Sequence, residues 1–324
     1  MTRAVDLAKR AVITTEDLTN IPSGAKNLII NGDMSIWQRG TSFNVTSTQY
    51  TADRWQTQGQ TWTGTRSTDV PDDFQYSLDI TAGGSSYGTF AQKIEAVNCK
   101  HLVGKTVTLS FYAKAVSGQT NCFVVLKVPG TVDNWSSSSN AVNSQNISDI
   151  GSTWTRHSFT FTNLPNTVAD GLLVQIFHAP DGNTAQRRYT GFQLEVGDTA
   201  TPFEHRPHDM ELARCQRYYY RIYSPGNGFR ISAGYVANTT IAEMTFYLPV
   251  EMRTYPTAIE SSGTASDYNI AYRTGNVNCT ATPIHLGGTT RVTSFRFTAS
   301  GLTSGDAVHG RLYADGYLGW SAEL

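Results

Sequence analysis

The chain has 324 residues, 39% hydrophobic and only 16% charged, with 28 glycines and a formal net charge of −1. That length suits two domains. The near-zero charge excludes the basic footprint of a nucleic-acid-binding protein, and no apolar run reaches the roughly 18 residues that a membrane-spanning helix takes. Charged residues fall below the usual quarter or so; glycine, tyrosine, serine, threonine and asparagine take their place, a composition of β-sheets joined by many turns.

Thr2–Val12 sets Val5, Leu7 and Val12 among charges, the pattern of a short amphipathic helix. A helix of this length is marginal in water by itself. Residues 1–25 therefore read either as a frayed tail or as an anchor that orders against another protein or against further copies of the chain. The segment lacks the long apolar stretch of a secretion signal.

From Lys26 to Val196 short strand-like runs follow one another. Asn27–Ile30 is expected to begin a strand that Asn31, Gly32 and Asp33 turn. In Thr106–Ala115, Val107, Leu109, Phe111 and Ala113 face one way, with Thr108, Ser110, Tyr112 and Lys114 opposite, the period of a strand. About eight such runs and no long helix predict a β-sandwich. Trp37, Trp55 and Trp154 fall in strand-like patterns and are expected in the core. The longest polar stretch, Leu126–Asp149, holds Trp135 among serines and asparagines. Without a strand partner, Trp135 reads as a sugar-stacking platform, with Asn134 and Asn143 as hydrogen-bonding neighbours. The alternative is packing against its own or a neighbouring subunit. Trp62, in Gln58–Thr65, is a second such case.

Thr190–Tyr220 joins the two halves. Phe192, Leu194 and Val196 alternate with Gln193 and Glu195, and Gly197-Asp198 ends the strand. Pro202 and Pro207 bias the residues before them toward extended backbone, and Asp209 is placed to cap a helix over Met210–Arg217. The first sandwich is thus expected over 26–206 and a second over 207–324, giving an all-β chain of two jelly-roll-like domains behind a short helical anchor. Tyr313, Tyr317 and Trp320 cluster near the C-terminus as a second candidate contact surface, unless they close the second sandwich.

Chemistry is sparse. Cys99, Cys122, Cys215 and Cys279 are far apart and are expected as buried free thiols. There is no HExxH or phosphate loop. His205 and His208 flank Pro207 and lack a third ligand, so they read as linker residues rather than a metal site. The carboxylates Asp72, Asp73, Glu95, Asp170, Asp181 and Glu195 include no pair set apart as a glycosidase requires. No catalytic residue, cofactor or metal is expected.

Two resemblances carry the reading further. The runs NLIINGDMSIWQRGT (Asn27–Thr41), YTADRW (Tyr50–Trp55), QLEVG (Gln193–Gly197), TPFEHRP (Thr201–Pro207) and ELARCQRYYYR (Glu211–Arg221) resemble the tail-fibre and receptor-binding proteins of tailed bacteriophages. FYLPVEMRTYP (Phe246–Pro256) and the closing SAEL (Ser321–Leu324) resemble them more loosely. Separately, VTLSFYAKA (Val107–Ala115), WTRHSFTF (Trp154–Phe161) and FQLEV (Phe192–Val196) resemble the jelly-roll carbohydrate-binding modules attached to glycoside hydrolases. The first resemblance implies a homotrimeric virion fibre, made in the host cytoplasm. Its N-terminus would dock on other tail or collar proteins, and it would attach the phage to host-surface polysaccharide. The second implies the jelly roll. Such modules often hold calcium through acidic residues just before the last strand, where Tyr189-Thr190-Gly191 has none. Two alternatives are a ligand-free capsid or collar decoration fibre and a capsular polysaccharide depolymerase. The depolymerases commonly show a β-helix with internal repeats, which are absent here.

Overall fold

The computed structural model describes residues 26–59, 61–83, 88–118, 122–178, 185–224, 226, 228–273, 275–313 and 315–324. The expected anchor, with Val5, Leu7 and Val12, lies outside the described residues. The first half contributes strands β1 (Ser42–Val45), β2 (Thr48–Tyr50), β3 (Gln56–Gln58), β4 (Trp62–Ser67), β5 (Ser77–Ala82), β6 (Gly88–Ile94) and β7 (Val107–Ser117). It continues with β8 (Cys122–Thr131), β9 (Asn134–Asn140), β10 (Gln145–Ile147), β11 (Thr155–Phe161), β12 (Leu172–His178) and β13 (Ala185–Val196). After helix α1 (His208–Gln216) come β14 (Tyr219–Tyr223), β15 (Phe229–Asn238), β16 (Ile241–Tyr247), β17 (Glu260–Ser261) and β18 (Tyr268–Tyr272). The chain ends with β19 (Gly275–Asn278), β20 (Ala281–Gly288), β21 (Val292–Thr298), β22 (Ala307–Leu312) and β23 (Tyr317–Ser321).

The fold is all-β, with two sandwich-like bodies. One sheet of the first body runs β1-β4-β5-β13-β7-β11, the other β10-β8-β12-β6-β3-β2, with β9 added on β8. Their inner faces share one core, in which Phe90 of one sheet meets Phe192 of the other at 5.7 Å and Trp55 lies 4.6 Å from Phe192. Alternation puts Leu109, Phe111 and Ala113 of β7 into that core at 0% exposure. A bulge between Thr190 and Gln193 shifts the register of β13 against β7. Gly191 sits there at φ 68°, where a Cβ would come within 2.8 Å of Phe74 and 2.9 Å of Tyr112. The second body has a sheet β14-β23-β17 and a seven-stranded sheet β19-β18-β22-β15-β16-β21-β20, closed over a core that includes Met244, Phe295, Phe297 and Trp320.

Three local expectations change. Asn27–Ile30 is not a strand. Leu28 does bond to the carbonyl of Leu194 at 2.9 Å, but the Asn27 amide takes over the neighbouring positions, accepting from Ile29 and Leu194 and donating to Phe192. The helix begins at His208 with Pro207 as its N-cap and no side-chain capping bond. Asp209 is inside the first turn, where its charge still suits the helix dipole. Trp154 is half-buried rather than in the core, and its indole donates to Asp69 at 3.0 Å.

The runs Asn27–Thr41, Tyr50–Trp55, Gln193–Gly197, Thr201–Pro207 and Glu211–Arg221 converge on a buried polar seam. Asn31 donates to the carbonyls of Ile36 and Asp53 at 2.9 Å each and accepts from the Ile36 amide, while Trp55 donates to the Asn31 carbonyl at 2.9 Å. Arg206 bonds to the Ile29 carbonyl at 3.0 Å and pairs with Glu211 at 3.1 Å, and Glu211 accepts from the Asn31 amide. Gln38 joins Asp53 to the Tyr219 carbonyl, and Arg217 pairs with Glu95 at 3.1 Å. Irregular backbone can be buried only when its polar groups are paired. These asparagines, arginines and carboxylates provide that pairing where the two bodies meet.

Candidate functional site

Strand β8 reads CFVVLKVPGT and β12 reads LLVQIFH. Both are apolar on two faces, as in strands covered on both sides. The inner set, Val124 and Leu126 with Val174 and Ile176, is at 0% exposure in the core. The opposite face carries Phe123, Val125 and Lys127 of β8 and Leu173, Gln175 and Phe177 of β12. Register extends this face across β6 and β3. Phe123 stands beside Phe177, then Thr89, then Gln58; Val125 beside Gln175, then Ala91, then Gln56. The Phe123 and Phe177 rings are half-buried and 6.2 Å apart. The aromatic pair and Gln175 thus lie half-buried on the outer side of the sheet, with Val125, Leu173, Thr89 and Ala91 of the same face buried at 5–9% exposure.

Trp135 is not in a loop. It lies on β9, which pairs with β8 through Thr131–Asn134 and Pro129–Ser138. The preceding turn is pinned by Asp133, whose amide donates to Asp170 and whose carboxylate accepts from Ala96, both at 2.8 Å. Trp135 is half-buried. A Cβ on Gly171, just before β12, would meet its ring at 3.3 Å, and the Lys93 ammonium is 5.8 Å from the ring centroid. Lys93 belongs to the outer face of β6, opposite Leu173, so Trp135 marks the far end of the face that begins at Phe123. Burial and the nearby Arg54 lower the Lys93 pKa, and its ammonium donates to the Leu324 carbonyl at 2.6 Å. Asn134 is exposed on β9 and accepts from the Ser136 amide at 3.1 Å; Asn143 is exposed beyond the strand's other end.

Other candidate residues are placed differently. Trp62 is at 1% exposure, edge-on to His178 at 5.3 Å. It offers no face to a sugar because it fills the space above Gly88, where a Cβ would be 1.9 Å from its ring. Trp320 is at 0% exposure, stacked on Phe246 at 5.4 Å and Tyr220 at 6.1 Å. Tyr317 is half-buried beneath the Arg221 guanidinium at 3.4 Å, and Tyr313 is half-buried with Arg311 at 5.2 Å. Trp320 is therefore part of the second core, while Tyr313 and Tyr317 stay half-buried beside arginines, and Glu323 turns back onto Arg54 of the first body. The four cysteines are buried free thiols; burial pushes Cys99, Cys122 and Cys279 up to about 12. Among the described residues, no three His, Cys, Asp or Glu side chains converge as a metal site.

Sequence reasoning missed Phe123 and Phe177. Their signal was present: strands apolar on both faces need a second cover or a ligand. The face holds aromatic rings, amides, a threonine and lysines. Such groups stack and hydrogen-bond; the two carboxylates of glycoside hydrolysis are not among them.

No family model matches the chain, and no curated protein does. Solved structures do. The xylan-binding domain CBM22-1 of Paenibacillus barcinonensis Xyn10C is 13% identical, covering 55% of this chain and 100% of that one at a TM-score of 0.34. A family 11 carbohydrate-binding module from Clostridium thermocellum is 10% identical over 48% of this chain and 97% of that one, at 0.33. The enzymatically active domain of tailspike protein 4 of bacteriophage CBA120 is 16% identical over 53% of this chain, at 0.36; the match spans 22% of that protein.

Proposed function

We propose that the chain is a phage attachment fibre that binds host-surface polysaccharide, without cleaving it, on the outer face of β8, β12, β6 and β3. The observation that carries this reading is the Phe123–Phe177 pair set beside Gln175 and Gln58, with Trp135 at the other end of the same face. The aromatic rings stack on the apolar faces of sugars and the amides bond their hydroxyls. The phage-like sequence runs support the virion setting. In this reading the protein is a homotrimer on the tail or collar, docked through residues 1–25, and several weak sites per particle give avidity.

A ligand-free decoration fibre is the second reading. It is favoured by one observation: the phage-like runs build the seam between the bodies, not the outer face. Adsorption of particles and retention of the protein on purified host polysaccharide separate the two. Phe123→Ala/Phe177→Ala should abolish both while secondary structure is kept. Full adsorption by that variant would favour the decoration fibre.

A further inference from the structure

We propose that the second body carries its own binding trough for a neutral, hydroxyl-rich glycan chain, lying across β15, β16 and β21 on the face turned away from its core. The trough is independent of the face described for the first body.

Register sets out this surface as three rows. In the first, Tyr235 stands beside Glu243, then Arg296, then Ile284. In the second, Thr245 stands beside Ser294, then Gly287, with Ala233 at the same level. In the third, Tyr247 stands beside Val292. On β15, β16 and β21 the middle row holds nothing larger than threonine, so it forms a floor between two walls, with Leu286 of the β20 bulge lining its far end. Two depressions of about 620 and 280 Å³ result, and they share Ala233 and Thr245. Glu243 and Tyr247 are four residues apart on β16, so the walls stand roughly 14 Å apart at about 3.4 Å per residue. That width admits more than one sugar ring.

The lining points to the class of ligand. Tyr235 and Tyr247 are 52% and 75% exposed. Tyrosines give large, rigid contact area at small cost in conformational freedom. The Thr245 and Ser294 hydroxyls are 3.3 Å apart on the floor. The Glu243 carboxylate is held by the Tyr235 hydroxyl at 3.0 Å and by Arg296 at 3.0 Å, so the wall is charge-balanced and complementary to a neutral ligand. β15, β16 and β21 each have a neighbouring strand on both sides. Their backbone is committed to the sheet, which leaves no edge for an added peptide strand. An occupant has to be recognised by aromatic faces, hydroxyls and one neutralised ion pair, which is the chemistry of a glycan.

The test is affinity electrophoresis of the full chain in gels containing dextran, mannan, galactan or xyloglucan, with sedimentation in parallel. At least one polymer should retard the protein. Tyr235→Ala/Tyr247→Ala should weaken that retardation about fivefold to a hundredfold, the loss of two aromatic contacts. Ala233→Phe, which raises the floor and keeps both tyrosines, should weaken it as well. Absence of retardation in all four gels overturns the proposal, as does retardation that neither variant changes. A smaller sedimenting species for the tyrosine variant would make the trough an interface between copies and overturn it too. The first-body variant Phe123→Ala/Phe177→Ala separates the two readings. If it alone removes binding, the trough falls and the first face stands; if only the trough variants remove it, the reverse holds.

Discussion

Arg54 donates to the carboxylate of Glu323, 269 residues away, and their side chains are only 1% and 6% exposed. The pair links the first body to the end of the second. The Arg54 guanidinium also lies 3.5 Å from the Tyr218 ring centroid, and Arg39 approaches Glu323 at 3.4 Å. Removing Arg54 leaves the Glu323 carboxylate in a dry site with only the longer Arg39 contact. Arg54→Met should therefore cost about 3–5 kcal/mol, whereas Arg54→Met/Glu323→Leu should recover much of that loss, because apolar replacement of a buried pair is often close to neutral. Urea unfolding monitored by tryptophan fluorescence measures both. A double variant as unstable as Arg54→Met would show that the seam depends on its charges for more than this pair.

Stability should depend on pH through two buried groups acting in opposite senses. His178 is buried, and burial lowers its pKa well below 6.5, with Arg187 adding to the effect. The unfolded chain then binds the proton more readily, so stability is fully present above about pH 6.5 and is lost as pH falls below it. Asp53 is also buried, and burial raises its pKa to about 6. The folded state holds that proton more tightly, so the Asp53 contribution is fullest below its unfolded value near 4 and is lost as pH rises through about 6. Equilibrium unfolding between pH 5 and 8 should show a decline toward acid in wild type, a shallower decline in His178→Asn and a steeper one in Asp53→Asn. Parallel profiles for all three would contradict the assignment.

The legible parts of this molecule were the periodic ones. β7 and β11 alternate cleanly, and their pairing from Thr155–Ala113 to Phe161–Val107 follows that alternation. β9 was not legible. Its serines have little strand preference, and it forms because it pairs with β8. Trp135 consequently looked like a loop residue. Trp62 looked like one too, since nothing local shows that Gly88 leaves room for its ring. The seam was legible only as motifs. Arg206 with Ile29, or Arg54 with Glu323, are pairings between distant segments that no periodicity encodes.

Trp320 separates a packing role from a binding role at the chain's end. Its ring lies nearly parallel to Phe246, at 3°, and to Tyr220, at 13°. Replacing a buried tryptophan by alanine removes that stack and leaves a cavity, at about 3–5 kcal/mol. Trp320→Ala should thus lower the thermal midpoint strongly while polysaccharide retention per folded molecule stays unchanged. Retention lost at full stability would restore the C-terminal aromatics as a contact surface.

Trp135→Ala should show the converse balance. The ring is half-buried, with one edge over Gly171 and the Lys93 ammonium 5.8 Å from its centroid. A fully buried tryptophan would cost about 3–5 kcal/mol on truncation; half-burial brings the expected loss to about 1–2 kcal/mol. The indole nitrogen is buried without a hydrogen-bond partner among the described residues, so Trp135→Phe forfeits no such bond and keeps an aromatic face. A sugar stacked on that face contributes about 0.5–1.5 kcal/mol, taking aromatic pairs as the guide. Truncation should therefore weaken single-site binding about twofold to tenfold. On particles with many copies the loss multiplies, so adsorption should fall further in Trp135→Ala than purified-protein affinity does, and Trp135→Phe should restore most of it. Lys93→Ala serves as the companion: it removes the ammonium and its bond to Leu324 but leaves the ring, so it should lower stability while lowering adsorption less than Trp135→Ala does. If Trp135→Ala binds and adsorbs as wild type does, the recognition surface ends at Phe123 and Phe177, and Trp135 is a packing residue of the β8–β9 hairpin.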